Sequence, residues 1–260
     1  MTSQSQAKKV LVLGATRGLG RGVALALASA GATVTGVGRN ADALATLDAQ
    51  GVAVRRGDVT DDEALAGWLS ELRPDAVVLT AGVSPALKPL GRYDWEALSA
   101  PWNTDVKATF HLLRCALGGA LGAGGHVVVF SSGAALNAGG SPLSGGYAGA
   151  KQTQRFLCRY ARAEVQERKL DVKIQCVVPQ LNPNTDLGRA AVRAYAAKAG
   201  VDEAAFVAQR FGDTPLSPAI AGDAIAALVG GAHAEHGELC LLYTSPSPRD
   251  LSTSRMPSSA

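Results

Sequence analysis

The chain has 260 residues, 47% hydrophobic and 18% charged, and its 25 basic and 22 acidic residues leave a net charge of +3. This length allows one large α/β domain or two small ones, and the hydrophobic content excludes a solvated, disordered chain. No basic run exceeds two residues, so we expect no nucleic-acid partner. The four cysteines form neither a CxxC pair nor a metal-binding spacing, which indicates reduced thiols and no metal site.

The sequence carries no sign of export or of a membrane segment. Its beginning lacks the apolar stretch of a signal peptide. The uncharged stretch 22–38 is interrupted by glycine, serine and threonine, and it falls short of the roughly 20 apolar residues that span a bilayer. We therefore expect a cytoplasmic protein that does not contact a membrane.

Short β-branched runs alternate along the chain with longer helical stretches. The pattern predicts strands at 9–13, 33–37, 53–56, 75–79, 126–130 and 173–178, and helices at 20–30, 41–50, 61–72, 102–118 and 147–168. Alternation at this spacing favours a parallel sheet with helices on both faces. We predict one doubly wound α/β domain, a Rossmann fold, over residues 1–239, because no linker or repeat divides them.

The stretch 179–218 breaks this alternation. It follows the sixth predicted strand and contains two predicted helices, at 186–198 and 202–210. Because open α/β sheets bind ligands at the carboxyl ends of their strands, we interpret residues 180–215 as a substrate lid. The alternative is irregular packing without a role in binding.

A glycine-rich loop joins the first strand to the first helix and contains Gly14, Gly18 and Gly20. Glycines let the backbone approach a pyrophosphate, and the start of a helix offers free N–H groups to it. The spacing is GxxxGxG, and a tight turn without a ligand is the alternative explanation.

Tyr147 and Lys151 are four residues apart in the helix predicted at 147–168, so their side chains share one face. A tyrosine has an ordinary pKa near 10, and an adjacent cation can lower a pKa by roughly 1–3 units, which makes a phenol useful for proton transfer. Ser131 and Ser132 end the fifth predicted strand, where a hydroxyl can face a ligand. An exposed Tyr/Lys pair is the alternative.

These motifs together resemble the short-chain dehydrogenase/reductase family, in its compact single-domain branch, over residues 8–230. Asn103, Ser132, Tyr147 and Lys151 follow the order of the family's catalytic residues. The resemblance implies that the cofactor is held by a larger set: Gly14, Thr16, Arg17, Gly18, Leu19, Gly20, Arg39, Asp58, Val59, Ala81, Gly82, Tyr147, Lys151, Pro179 and Thr185.

Several residues depart from the family pattern. Thr80 stands where the family has asparagine, and Ser132 precedes Tyr147 by 15 positions, which leaves Ser131 as a rival for its role. Gln180 replaces a glycine, and Thr185 comes one position late. The contacts of this last loop with a nicotinamide are therefore the weakest of the implied contacts.

The resemblance also implies roles in catalysis. Tyr147 exchanges a proton with the substrate oxygen, and Lys151 lowers the tyrosine pKa and binds the nicotinamide ribose. Ser132 stabilises the charge that develops on that oxygen. Asn103 would hold a water linked to Lys151, although a surface or packing role is the ordinary explanation for an asparagine inside a helix.

The choice of cofactor depends on the end of the second predicted strand. Family members that bind NAD place an acid there, whereas this chain has Gly38 followed by Arg39. A guanidinium pairs well with a phosphate, and Arg17 in the glycine loop supplies a second one. We therefore predict NADP; in the alternative, Arg39 is a solvated loop residue.

The predicted function is an NADP(H)-dependent oxidoreductase acting on a small-molecule carbonyl or alcohol. The alternative is a non-catalytic dinucleotide-binding sensor or scaffold. A sugar-nucleotide epimerase is disfavoured because 239 residues leave no room for its extra C-terminal domain. The family commonly pairs the helices at 102–118 and 147–168 between subunits, so a homodimer or homotetramer is expected.

The composition changes at Cys240, where serine, proline and threonine replace the preceding alanine, glycine and valine. Residues 240–260 resemble a translated sequencing adapter, and we interpret them as a non-native tail that has no fixed structure over 245–260. A genuine disordered tail is the alternative. Residues 238–243 are apolar enough to pair as an edge strand.

Overall fold

One parallel sheet organises the chain. The computed structural model describes residues 7–137, 142–211, 215–232 and 237–241. Within them, the strands lie in the order β3-β2-β1-β4-β5-β6-β7, with all neighbours parallel. The strands are β1 (Lys9–Leu13), β2 (Thr33–Gly38), β3 (Ala53–Arg56), β4 (Ala76–Leu79), β5 (Gly125–Phe130), β6 (Val172–Pro179) and β7 (Gly237–Leu241). Strand order reverses beside β1, which opens a crevice at the carboxyl ends of β1 and β4. The predicted Rossmann fold is confirmed.

Helices cover both faces of this sheet. They are α1 (Gly18–Ser29), α2 (Ala41–Asp48), α3 (Asp62–Leu72), α4 (Trp95–Pro101), α5 (Lys107–Leu117), α6 (Gly145–Arg168), α7 (Asp186–Ala199), α8 (Glu203–Phe211) and α9 (Pro218–Ala227). Side-chain oxygens of Asn40, Asp61, Asp94 and Ser217 accept the N–H three residues on, which fixes where α2, α3, α4 and α9 begin.

The alternation of side chains along the strands divides the core into two layers. In β1, Val10 and Val12 pack with residues of α1 and α9 on one face, whereas Leu11 and Leu13 pack with residues of α3, α5 and α6 on the other. Because both faces are covered, the central strands are nearly continuous apolar runs, as in β5, where all six residues are buried, whereas the edge strand β3 has no buried residue.

The predicted helix at 102–118 differs from the structure. Asp94 caps an earlier helix, α4, which ends at Pro101; a π-helical stretch, Trp102–Val106, then leads into α5. The wider turn of a π-helix changes the direction of the side chains that follow. Residues 102–106 therefore do not occupy the faces that an unbroken α-helix would give them.

The end of the described chain contains one helix that was not predicted, α9, which follows α7 and α8. Strand β7 pairs with β6 at the edge of the sheet, as was expected to be possible for residues 238–243, and continues two residues past position 239. Residues 242–260, which include the segment expected to have no fixed structure, lie outside the described residues. No helix in the described part of the chain is long and apolar enough to cross a membrane; a cytoplasmic location stays a prediction.

Helices α1 and α9 cross at two glycines. A Cβ atom on Gly22 would lie 2.1 Å from the carbonyl oxygen of Pro218, and one on Gly222 would lie 2.5 Å from the carbonyl oxygen of Gly22. Because these distances leave no room for any side chain, the two backbones touch there. The first helix of the chain is thereby joined to the helix that follows the stretch between β6 and α9.

Candidate active site

A cavity of about 730 Å³ lies at the carboxyl ends of the strands, between the glycine loop and the stretch from β6 to α9. Twelve of the predicted site residues line it: Gly14, Arg17, Gly18, Leu19, Gly20, Ala81, Gly82, Ser132, Tyr147, Lys151, Pro179 and Thr185. Five others, Thr16, Arg39, Asp58, Val59 and Asn103, are not among its lining residues. The structure therefore brings the predicted proton-transfer and phosphate-binding groups together.

The glycine loop is shaped by close backbone contacts. Gly14 has a φ of +97°, and a Cβ there would lie 2.5 Å from the amide nitrogen of Ala81. A Cβ on Gly20 would lie 2.2 Å from the carbonyl oxygen of Gly14. Larger residues would push this loop away from β4 and from the start of α1.

The start of α1 suits a phosphate. No side chain caps this helix, no acid lies in its first turn, and the cavity is open at Gly18, Leu19 and Gly20. Free N–H groups and the positive end of the helix dipole attract an anion. The loop therefore fits the pyrophosphate of a dinucleotide, and Arg17, which is exposed beside it, adds a positive charge.

Thr80, the substituted residue after β4, acts on the glycine loop. Its hydroxyl oxygen lies 3.1 Å from the carbonyl oxygen of Leu13 and 3.2 Å from that of Gly14, to which it donates. The threonine thus keeps a polar link between β4 and the loop.

Tyr147 and Lys151 lie on α6 as the sequence predicts, and both line the cavity. The Lys151 ammonium nitrogen is 5.5 Å from the centroid of the Tyr147 ring. At that distance, the cation acts on the phenol through the electrostatic field. A phenol beside an ammonium in a cavity can give and take a proton.

Two further groups hold the Lys151 ammonium, the carboxylate of Asp105 and the carbonyl oxygen of Phe130. Its Nζ lies 2.9 Å from Oδ2 of Asp105 and donates to the carbonyl oxygen of Phe130 at 3.1 Å. Burial alone would lower the pKa of this ammonium, but the Asp105 carboxylate raises it above its ordinary value, with a smaller contribution from Tyr147. Lys151 is therefore held in its charged form.

Asp105, rather than Asn103, is the residue of the π-helical stretch that lies in this site. Asn103 is exposed, whereas Asp105 is fully buried and lines the cavity. The sequence contained a signal for it: Asp105 precedes Ala108 and Leu112 at the i, i+3, i+7 spacing of a buried helix face. An acid on such a face needs a partner, and here Lys151 is that partner.

Three hydrogen bonds and the close approach of Gly82 fix Asp105 in place. Its Oδ1 accepts the Val83 N–H at 2.9 Å, and a Cβ on Gly82 would lie 2.8 Å from Oδ2. Its carbonyl oxygen accepts from Oγ1 of Thr109 at 2.8 Å and from Nε2 of Gln154 at 3.1 Å. The carboxylate is thus locked between α6 and the loop after β4.

Ser131 and Ser132 both line the cavity but have different partners. The buried Ser131 hydroxyl donates to the carbonyl oxygen of Lys151 at 2.8 Å, so its proton is already used in a hydrogen bond to α6. The Ser132 oxygen accepts the Ala134 N–H at 3.2 Å, so its own proton can still be donated. Of the two, Ser132 is the better placed to donate to a ligand.

The residues predicted to bind the adenine half lie outside the cavity. Arg39, after β2, faces Asp58, after β3, with Nη1 and Oδ2 3.6 Å apart, and both side chains are largely exposed. The pKa of Asp58 is lowered, chiefly by the hydrogen bond from the Thr60 N–H and further by the Thr60 hydroxyl and the Arg39 guanidinium. These contributions outweigh partial burial, which raises the pKa. Val59 packs in the core beneath them, and Thr16 lies against Gly38.

The loop after β6 reaches the glycine loop. Thr185 caps α7 by accepting the Gly188 N–H at 3.1 Å, and its methyl group lies 3.4 Å from where a Cβ of Gly18 would stand. Pro179 ends β6, and the next N–H, of Gln180, donates to the carbonyl oxygen of Leu241. The late threonine therefore still comes beside the predicted phosphate site.

Helices α7 and α8 line the cavity with an aromatic cluster, beside the cationic side chains of Lys198 and Arg210. Tyr195 and Phe206 stack with their ring centroids 6.4 Å apart, and Phe211 meets Phe206 edge to face at 6.5 Å. The Tyr195 hydroxyl is 2.9 Å from the hydroxyl of Ser144, which joins α7 to the start of α6. In the described residues, no cluster of three His, Cys, Asp or Glu side chains could hold a metal ion.

Comparison with known proteins gives a family and a set of similar structures. The sequence model of the short chain dehydrogenase family matches residues 8–198. No curated protein matched the chain. A point variant of actinorhodin polyketide ketoreductase with NADPH has a TM-score of 0.76 at 20% identity, over 92% of this chain and 98% of that one.

Two further solved structures are similar. A Beutenbergia cavernae protein with bound NADP has a TM-score of 0.73 at 23% identity, over 91% of this chain and 96% of its own. A short-chain type dehydrogenase/reductase from Mycobacterium ulcerans has a TM-score of 0.71 at 26% identity, over 95% of this chain and 91% of its own. The likeness extends over nearly the whole length of each protein.

Proposed function

The chain belongs to the short-chain dehydrogenase family and is an oxidoreductase, and on that premise we propose that it interconverts a carbonyl and a secondary alcohol with NADP(H). The observation that carries this proposal is the placement of Tyr147 and Lys151 in one cavity with the free end of α1. Proton transfer and phosphate binding are thereby available at a single site.

NADPH, which the glycine loop and Lys151 would hold, would supply the hydride for this reduction. Tyr147 donates its phenolic proton to the carbonyl oxygen, and Ser132 donates a hydrogen bond to the same oxygen while negative charge develops on it. Lys151 supports the resulting phenolate and holds the nicotinamide ribose. Oxidation of the alcohol runs through the same groups in reverse.

The preference for NADP rests on charge at the end of β2. Gly38 and Arg39 stand where an acid would repel a 2′-phosphate, and Arg17 lies in the neighbouring glycine loop. Arg56, at the end of β3, donates from Nε to the carbonyl oxygen of Arg39 at 3.3 Å, which adds a third guanidinium to this corner. Two of the similar structures contain NADPH or NADP.

Aromatic side chains in the cavity and on the surface support a class of substrate and a mode of assembly. The aromatic rings of α7 and α8 favour an apolar carbonyl compound, with residues 180–215 acting as its lid. Phe110 on α5 and Phe156 and Tyr160 on α6 are exposed, which supports a homodimer or homotetramer paired through these helices.

The test is a panel of carbonyl and alcohol compounds with NADPH or NADP, followed by the absorbance of the reduced nicotinamide. The matched control is Tyr147→Phe, which keeps the ring and removes the proton donor. We expect turnover by the parent protein and its loss in the variant. Tight NADPH binding without turnover of any compound would instead support a sensor or scaffold.

A further inference from the structure

The carboxylate of Asp105 is unusual in its position. Among the described residues that line the cavity, it is the one acid, and it lies 2.9 Å from the ammonium that faces Tyr147. Its Oδ2 has no well-aligned hydrogen bond within the described part of the chain, so attraction between the charges compensates its burial.

We propose that Asp105 is a positioning residue that tethers Lys151 by a direct ion pair, weakens the pull of the ammonium on the Tyr147 phenol, and so keeps Tyr147 protonated to higher pH. This inference rests on the proposed function of the same site. In this proposal Asp105, a charged residue of the chain itself, takes the place beside Lys151 that the sequence analysis gave to Asn103 and a bound water.

The physical argument is one of compensating charges. An isolated ammonium near a phenol favours the phenolate, because opposite charges attract where little water screens them, and the Lys151 Nζ is 5.5 Å from the centroid of the Tyr147 ring. A carboxylate 2.9 Å from that ammonium turns the single charge into an ion pair, whose field falls off faster with distance. The phenol therefore keeps its proton in a pH range where a lone cation would have removed it.

Other titratable groups near Lys151 do not supply this compensation. Tyr147 on α6 and Cys176 on β6 act on the ammonium, and both are neutral while they keep their protons. The remaining charged side chains lining the cavity, Arg17, Lys198 and Arg210, are positive, and Tyr195 is a phenol. The negative charge thus comes from Asp105 alone among the described lining residues.

The ion pair has a consequence for the direction of the reaction. Reduction needs the phenol, which gives its proton to the carbonyl oxygen, whereas oxidation needs the phenolate, which takes the proton of the alcohol. A site that holds Tyr147 protonated keeps its reductase activity to higher pH and begins oxidation at higher pH. Asp105 therefore favours carbonyl reduction near neutral pH.

The experiment measures phenolate formation in the protein without cofactor by ultraviolet difference absorbance as pH rises. Asp105→Asn keeps the size of the side chain and an acceptor for the Val83 N–H, but removes the charge. Subtracting the curve of Tyr147→Phe in the same background isolates Tyr147 from the other tyrosines. With Lys151 still charged, we expect the midpoint of its titration to fall by roughly one pH unit in Asp105→Asn. A midpoint that rises would show that Asp105 acts by keeping the Lys151 ammonium charged against its burial, and would overturn the proposal.

Two further variants separate charge from structure. Asp105→Ser removes the same charge and leaves space for water, so it serves if Asp105→Asn does not fold. Thr109→Val breaks the bond to the Asp105 carbonyl oxygen without changing any charge, and it should leave the midpoint where it is. The inference is overturned if neither Asp105 variant lowers the midpoint, or if Thr109→Val lowers it equally.

Activity profiles then distinguish this inference from the function on which it rests. If the compound panel gives turnover, the acid limb of the pH profile for alcohol oxidation should move to lower pH in Asp105→Asn, together with the midpoint of the Tyr147 titration. Turnover with an unmoved midpoint would overturn the role of Asp105 and leave the oxidoreductase in place. A shifted midpoint without turnover of any compound would support the ion pair and contradict the proposed reaction.

Discussion

The two ends of the proposed cofactor site hold the same kinds of charged groups in opposite surroundings. At the reacting end, the Lys151 and Asp105 side chains are 5% and 0% exposed and 2.9 Å apart. At the adenine end, Arg39 and Asp58 are 69% and 44% exposed and 3.6 Å apart. Because water screens the second pair and not the first, a change of charge should matter far more at the reacting end.

The comparison also separates two tasks. In the proposed function, the buried end would control where a proton resides and so set the rate of reaction. The exposed end would distinguish two cofactors that differ by one phosphate, which needs only a modest difference in affinity. Four tests, taken from the largest expected effect to the smallest, would confirm or break this division.

Tyr147→Phe tests the buried end most directly. We expect turnover to fall by about 10²–10⁴-fold, because the variant keeps the ring but lacks the transferred proton. The dissociation constant of NADPH, measured by fluorescence titration, should stay within a few-fold of that of the parent. Tyr160→Phe, on the exposed side of the same helix, is the control and should change neither value.

The adjacent serines test how finely the buried end is arranged. Ser132→Ala should reduce kcat about as strongly as Tyr147→Phe, because it removes a donor to the charged oxygen. Ser131→Ala loses a buried hydrogen bond to α6, so it should lower the free energy of unfolding by about 1 kcal/mol with a mild effect on kcat. The reverse order in steady-state kinetics would transfer the catalytic role to Ser131.

Arg39→Ala tests selectivity at the exposed end. A charge-assisted contact with a phosphate contributes about 1.5–3 kcal/mol, so the affinity for NADPH should fall roughly ten- to a hundredfold. The affinity for NADH should hardly change, since NADH lacks the phosphate. Arg168→Ala, which removes a guanidinium paired with Glu164 on α6, is the control. Equal losses for both cofactors would show that Arg39 does not recognise the phosphate.

Asp58→Asn should have the smallest effect. The folded state lowers the pKa of Asp58, chiefly through the Thr60 N–H, so its carboxylate stabilises the fold above its ordinary pKa of 3.8. This stability is lost as pH falls through the lower folded pKa. The difference from the parent in urea unfolding should stay below about 1 kcal/mol at neutral pH, because the group is largely exposed.

The same unfolding series at acid pH completes this test. The difference between Asp58→Asn and the parent should disappear well below pH 3.8, where the parent carboxyl is also protonated. Asp48→Asn, at the end of α2, changes an exposed aspartate whose carboxylate makes no bond recorded among the described residues, and should give no difference at either pH. A difference that grows in acid would contradict the assigned sign.

Sequence reasoning found the features that depend on local patterns. The strands were predictable because helices cover both faces of the sheet, so that its central strands are apolar runs. Helix α3 was predictable because Asp61 caps its first turn. Tyr147 and Lys151 were predictable as a pair because a regular helix places i and i+4 on one face.

Features set by tertiary contacts were beyond such patterns. The spacing from Asp105 to Ala108 and Leu112 indicates a buried acid, but only the tertiary structure shows that Asp105, rather than Asn103, reaches Lys151. Helix α9 begins at a proline after a loop and shows no polar stripe, because α1 covers one face closely. The contact between Arg39 and Asp58 joins loops that follow different strands, which no spacing along the chain reveals.

The crossing of α1 and α9 has a mechanical consequence. The stretch between β6 and α9 meets the glycine loop at its first end, where Thr185 lies beside Gly18, and its last end is joined to α1 through Gly22 and Gly222. Both anchors thus belong to the loop and helix that would carry the cofactor's phosphates. Because its ends are fixed and no residue of α8 is buried, we expect any opening of this stretch to begin at α8, as in a flap hinged at both ends.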